Sequence, residues 1–397
     1  MKKVFLKLIL ALVLASMVSS VIVAPALGNE PLVELTDEVA TIEKVLVSPE
    51  GTVLPDGLTF SFSIEQVYGT AVTPAPQNVT LDMTDDDLAT ATVEDGILTV
   101  KAQTENLLEG IAFPAGGTYV FEVKELPITT PSPVDGEMTF DTDSWLLFVQ
   151  IANTETGLKV HSIIAGRPAV DESGAPILDE IGRPTATAKN SGAMTFENMF
   201  IPTDLGTADA AALVISKTAT GELANLIHPF SFNLTLTAPA LPTGTTLEGP
   251  IWASIVDTRG TTDVIVGSPI NILESPSFTL PHGHELRVAT LPVGTGFVVS
   301  ETGTPEYLPS ATVVAGSATG SYNAEVGEGL STSSYRISME DAGNRASFLN
   351  AHQETPIMGL DIASMPFILA LFLSTALLAM MVATRSRKRI ENLPIVH

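Results

Sequence analysis

The chain has 397 residues, of which 45% are hydrophobic and only 6% aromatic, with no cysteine and a formal net charge of −26. That length holds two or three globular domains, and that hydrophobic content excludes a wholly disordered chain. Without cysteine there is neither a disulfide nor a thiol-based site, and so acidic a surface repels nucleic acid and anionic lipid.

Residues 1–28, MKKVFLKLILALVLASMVSSVIVAPALG, join a basic start (Lys2, Lys3, Lys7) to an apolar stretch and the small residues Ala24, Ala26 and Gly28. This pattern predicts an export signal, cleaved near Ala26 or Gly28. Residues 29–40 follow as an N-terminal extension.

From 41 to 353 the text reads as short alternating segments: LTFSFSIEQV (58–67), GTYVFEVKE (117–125), WLLFVQIAN (145–153), PFSFNLTLTA (229–238) and GFVVSE (296–301). Gly, Pro, Asn and Asp clusters divide them, and no long stretch has helical periodicity. The expected class is all-β, with many short strands arranged as sandwiches.

The pattern runs twice in the same order. TIEKVLVS, LTFSFSIEQV, FPAGGTYVFEVKE and MTFENMF are answered by LVISKTAT, HPFSFNLTL, LPVGTGFVVSE and RASFLNAHQ. Two related modules are expected, 41–203 and 213–353, joined by a linker at 204–212.

Past a stalk at 354–364, an apolar run begins at Met365 and ends near Ala383, with Arg385, Arg387, Lys388 and Arg389 directly after it. A membrane helix over 365–384 with a basic cytoplasmic tail, 385–397, is the expectation, which places the bulk of the chain outside the cell. Between residues 29 and 384 there are 12 basic and 44 acidic residues.

Three polar residues in each module fall in phase with buried-type neighbours. Lys44 shares a face with Ile42 and Leu46, Glu125 with Tyr119, Phe121 and Val123, and Asn198 with Met194, Phe196 and Phe200. In the second module Lys217 follows Leu213 and Ile215, Glu301 follows Phe297 and Val299, and Asn350 follows Ala346 and Phe348. Lys217 is moreover the only lysine between 202 and 384.

Burying such groups without partners costs several kcal/mol each, so the three are expected to meet. Desolvation would then favour a neutral amine and a protonated carboxyl. A neutral lysine held against an asparagine amide can displace ammonia to form an isopeptide bond, with the glutamate handling protons, because the fold supplies a large effective molarity. In the plainer alternative the lysines snorkel at strand ends, the glutamates close hairpins and the asparagines satisfy turns. Thr218 and Thr220 leave the buried face of the second module's first strand open between the two readings.

Other polar clusters carry less. PHGHEL (281–286) reads as a hairpin turn around Gly283 rather than a metal site, since no third ligand is evident. DMTDDDL (82–88) reads as an acidic turn, because it lacks the spaced ligands and glycine of a calcium loop. No nucleophile elbow, phosphate loop or zinc-protease motif is present, so no cofactor, no metal and no turnover of an external substrate are expected.

The residues around these triads resemble the pilin isopeptide linkage domains of Gram-positive surface proteins: EKVLV with Lys44, TYVFEVKE with Glu125, MTFDTDSWLLFVQI (138–151), and MTFENMF with Asn198. The second module is also similar to collagen-adhesin B-type domains, through ISKTATG with Lys217, FTLPHGHELRVATLPVGTGFVVSE (278–301) with Glu301, and SFLN with Asn350. The resemblance covers about 310 residues. It implies two tandem immunoglobulin-like (B-type) β-sandwich domains, each cross-linked between first and last strands with glutamate as the proton-handling residue.

The C-terminal region is similar to that family's wall-sorting signal, but TPIMG (355–359) has Met358 where a housekeeping sortase cleaves after threonine. Wall attachment and retention in the membrane both stay open on this motif. No pilin-type lysine motif for polymerisation is recognisable in the linker. The resemblance implies a cell-surface structural protein, pilin-like or an adhesin stalk, with sortase, the cell wall, host matrix and other pilus subunits as the partners to consider. A module that binds host matrix or glycan is the alternative; its longest candidate loops, 68–96 and 161–193, are poor in aromatics.

Overall fold

The computed structural model describes residues 39–130, 136–190, 192–207, 210–340, 343–353 and 365–391. The expected export signal at 1–28 and the TPIMG motif lie outside the described residues.

The first half of the chain runs through β1 Thr41–Pro49, β2 Thr59–Tyr68, β3 Val79–Asp82, helix α1 Asp85–Ala89, β4 Thr92–Glu94, β5 Ile97–Gln103, β6 Gly117–Thr130, β7 Gly136–Thr139, β8 Ser144–Thr154, β9 Gly157–Pro168, β10 Ala186–Asn190 and β11 Ala193–Pro202. These strands form two sheets, ordered β4-β5-β1-β11-β7 and β10-β9-β8-β6-β2-β3. Between the sheets lies one apolar core that includes Ile42, Leu46, Phe60, Phe62, Phe121, Leu147, Phe196 and Phe200.

The second half continues with β12 Leu213–Thr220, β13 Phe230–Thr237, β14 Trp252–Asp257, β15 Val264–Asn271, β16 Ser277–Leu280, β17 His284–Val288, β18 Gly296–Glu301, β19 Tyr307–Ala315, β20 Ala318–Asn323, β21 Leu330–Ser331, β22 Tyr335–Arg336 and β23 Asn344–His352. Its sheets are ordered β15-β14-β17-β12-β23-β19-β20 and β16-β13-β18-β21, with β22 beside β18. A separate core gathers Leu213, Ile215, Phe230, Phe232, Phe297 and Phe348.

In each half the first and last strands lie side by side and parallel, β1 against β11 and β12 against β23. The two pairings have the same offset: Lys44 stands opposite Phe196, two residues before Asn198, and Lys217 opposite Phe348, two residues before Asn350. Side chains alternate between faces in a strand, so each lysine and its asparagine share the inner face as diagonal neighbours. Thr218 and Thr220 point outward in a clean alternation along β12, which resolves the face left open by the sequence.

The two halves touch through the β1–β2 turn. Gly51 takes a positive φ of 89° and its carbonyl accepts from the Met339 amide at 2.8 Å, while Glu50 pairs with Arg336 at 2.8 Å. A Cβ at position 51 would lie 2.7 Å from the Ile337 carbonyl oxygen, so only glycine fits this joint without displacement.

Three expectations are corrected. DMTDDDL opens a helix rather than a turn: Thr84 caps α1 in a capping box with Asp87, and Asp85, Asp86 and Asp87 occupy its first turn, where carboxylates suit the helix dipole. PHGHEL turns at Gly283 but is no hairpin, because β16 and β17 belong to different sheets. Its His282 Nδ1 accepts from the Ala219 amide at 3.0 Å, which ties the crossing to the end of β12. Segment 161–193 is not a free loop, since β9 runs to Pro168 and β10 starts at Ala186.

The membrane span expected over 365–384 falls within helix α2, Met365–Glu391. Among the described residues no helix is long and apolar enough to cross a membrane. Helix α2 exposes Leu369, Leu371 and Phe372.

Candidate functional site

Each core holds one lysine, one glutamate and one asparagine, none of them more than 8% exposed. Alternation places them there. Ile42, Lys44 and Leu46 share the inner face of β1, and Met194, Phe196, Asn198 and Phe200 that of β11. Glu125 comes from the opposite sheet, on β6, where it stands across from Phe62 of β2. The second module repeats the arrangement: Glu301 on β18 stands across from Phe232 of β13.

The six residues singled out in the sequence are thus gathered into two sites. In the first, Lys44 Nζ donates to Glu125 Oε2 at 2.7 Å, and Asn198 Nδ2 donates to Glu125 Oε1 at 2.7 Å. In the second, Lys217 Nζ and Asn350 Nδ2 both donate to Glu301 Oε1, each at 2.7 Å. The carboxyl group therefore bridges amine and amide in both modules.

Aromatic rings wall off the amines. Lys44 Nζ lies 5.0 Å from the Phe60 ring centroid, and Lys217 Nζ lies 4.3 Å from that of Phe230 and 5.6 Å from that of Phe232. Phe62 packs on Phe196 at 5.2 Å, and Phe232 on Phe348 at 5.1 Å. Each amine thus lies between aromatic rings and its glutamate.

Burial governs the protonation. Desolvation brings Lys44 and Lys217 down from 10.5 to about 8, against the opposing pull of Glu125 and Glu301. The same desolvation pushes both glutamates up, against the attraction and hydrogen bonds of their lysines and asparagines. Both shifts favour the uncharged pair, amine beside carboxylic acid. A neutral amine carries a free lone pair, and a carboxylic acid between it and an amide can take a proton from one nitrogen and give one to the other.

The sites differ in how they hold the amide oxygen. Asn198 Oδ1 accepts from the Asp141 backbone N–H at 2.9 Å, whereas Asn350 Oδ1 and Glu301 Oε2 are buried without a hydrogen-bond partner among the described residues. The sequence reading missed Asp141 and the phenylalanine wall. The wall had a signal, since FSF stands in both LTFSFSIEQV and PFSFNLTLTA; Asp141 sits in a connection whose path only the fold reveals.

Residues 40–200 match the family model described as a Spy0128-like isopeptide containing domain. Residues 211–329 match a domain of unknown function, DUF7601. Among solved structures, the major pilin from Streptococcus pyogenes is similar at 19% identity and a TM-score of 0.30, over 80% of this chain and 100% of that one. The T-13 major pilin of the same organism gives 19% and 0.28, over 80% and 98%. A pilus-presented adhesin, Spy0125 (Cpa), gives 11% and 0.22, over 80% and 100%. No curated protein matches the chain.

Proposed function

We propose that this protein is a structural component of a pilus-type cell-surface assembly, built from two tandem β-sandwich modules that each close an internal lysine–asparagine isopeptide bond. The observation that carries the reading is the duplication: two buried Lys–Glu–Asn sets with the same strand offset and the same bridging carboxyl. A buried polar trio kept for packing alone has no reason to recur in both cores, because apolar residues of similar volume serve equally well there.

The chemistry is directed at the chain itself. The Lys44 Nζ lone pair attacks Asn198 Cγ, and the carbonyl π electrons move to Oδ1. Glu125 accepts a proton from Nζ and delivers one to Nδ2. The tetrahedral intermediate then collapses, the carbonyl re-forms, the Cγ–Nδ2 bond breaks and ammonia leaves. Glutamate ends as it began, and Lys217, Glu301 and Asn350 take the same roles in the second module. Holding the reactants in a dry core replaces the activated acyl group that such a reaction otherwise needs.

A bond from Lys44 to Asn198 closes a loop of 155 residues. In the chain-entropy picture developed for disulfides, so long a loop stabilises the fold by about 4–5 kcal/mol. It also joins the first strand to the last, so tension applied at the ends of a module passes through one covalent path. Proteolysis of the folded chain followed by mass spectrometry tests the assignment. Lys44 and Asn198 are expected in one branched fragment and Lys217 and Asn350 in another; linear fragments alone would overturn it.

A further inference from the structure

Resting on the cross-linking reading above, we infer that the backbone N–H of Asp141 is a catalytic donor of the first site, one with no counterpart in the second site among the described residues, so that the two bonds form at different rates. The attacked amide concentrates negative charge on its oxygen in the tetrahedral intermediate. A fixed donor aimed at that atom lowers the barrier, and in a water-excluded site it does so strongly.

The Asp141 N–H already lies 2.9 Å from Asn198 Oδ1. Its position is set by the fold. Residues 140–143 cross from β7, which pairs with β11, to β8, which pairs with β6, and so pass over the end of the site between the two sheets. The Asp141 side chain then pins the crossing. Its Oδ1 accepts from the Asp143 amide at 2.8 Å, and its Oδ2 accepts from the Glu197 amide at 3.3 Å with the Arg167 guanidinium 3.7 Å away. Because Glu197 directly precedes Asn198, donor and reacting carbonyl are held to the same strand.

In the second module the corresponding oxygen, Asn350 Oδ1, is buried with no donor among the described residues. Both hydrogen bonds to Glu301 fall on Oε1, and its Oε2 is likewise left without a partner. Charge that develops on Asn350 Oδ1 must be met by rearrangement of the site, a cost the first module avoids.

Timed cell-free synthesis of the full chain, quenched at intervals and mapped for the two branched fragments, tests this. In the unaltered chain the Lys44–Asn198 fragment is expected about tenfold or more ahead of the Lys217–Asn350 fragment, since loss of one such donor slows reactions about 10²–10³-fold. Equal rates, or the reverse order, would overturn the inference whatever any variant does. Asp141→Pro removes the N–H; it is expected to slow the first bond about a hundredfold and leave the second, an internal control, unchanged. An unslowed first bond in that variant also overturns it. Branched fragments from both modules at equal rates sink this inference alone, whereas their absence from folded, unaltered protein sinks the cross-linking itself.

Discussion

At the residue scale the chemistry turns on water exclusion around two amines. Lys44 and Lys217 are brought to about 8 by burial, so the reactive neutral form accumulates as pH rises through that value rather than through 10.5. The rate of bond formation is therefore expected to climb with pH up to about 8 and then level off, measured by peptide mapping of chain synthesised at a series of pH values. A rate still climbing steeply toward 10.5 would show lysines that stay hydrated. Glu125→Ala removes the proton carrier and leaves Lys44 buried without its partner. It is expected to retain one ammonia, to leave the second module's bond intact, and to destabilise the first module by about 3–5 kcal/mol beyond the lost cross-link, read by thermal denaturation. The six residues themselves were legible because a charged or amide side chain in phase with Phe, Ile and Val violates strand alternation visibly. Asp141 was not legible: it acts through its backbone, which the side-chain pattern does not encode.

Among the elements, the parallel pairing of first and last strands is what would make the proposed reaction possible. Lys44 opposite Phe196 brings Asn198 onto the same inner face, while Glu197 between them is exposed. Moving the amide one position back, as Glu197→Asn with Asn198→Ala, keeps an amide in the strand but turns it to solvent. That variant is expected to fold and to retain the ammonia of the first module in an intact-mass measurement; cross-linking through residue 197 would refute the register. Strand existence and inner faces could be read from alternation, but sheet membership could not. Glu125 lies across the sandwich from Lys44, and PHGHEL crosses between sheets; both follow from long-range pairing that local sequence does not specify. The helix α1 was hidden for a different reason, in that one Thr84–Asp87 capping box outweighed an acidic, turn-like composition.

For the whole molecule, the two sandwiches meet at a close-fitting turn, so the proposed cross-links would make them one mechanically continuous unit. Gly51→Ala places a methyl group against the Ile337 carbonyl and is expected to loosen the joint while leaving both cores and both bonds intact. Small-angle scattering would then show a wider spread of dimensions with unchanged masses. When the ends are pulled, the residues between Lys44 and Asn198 are expected to add no length, and in Asn198→Ala they are expected to unravel; single-molecule extension distinguishes the two. The whole-chain repeat was visible in the paired motifs, whereas the joint was not, because it depends on one positive-φ glycine meeting the segment 337–339, almost 300 residues away. The most direct measurement is the intact mass of the folded protein: a deficit of two ammonias, falling to one in Glu125→Ala and to one in Glu301→Ala, is the predicted result, and the full unmodified mass in protein shown to be folded would contradict the account.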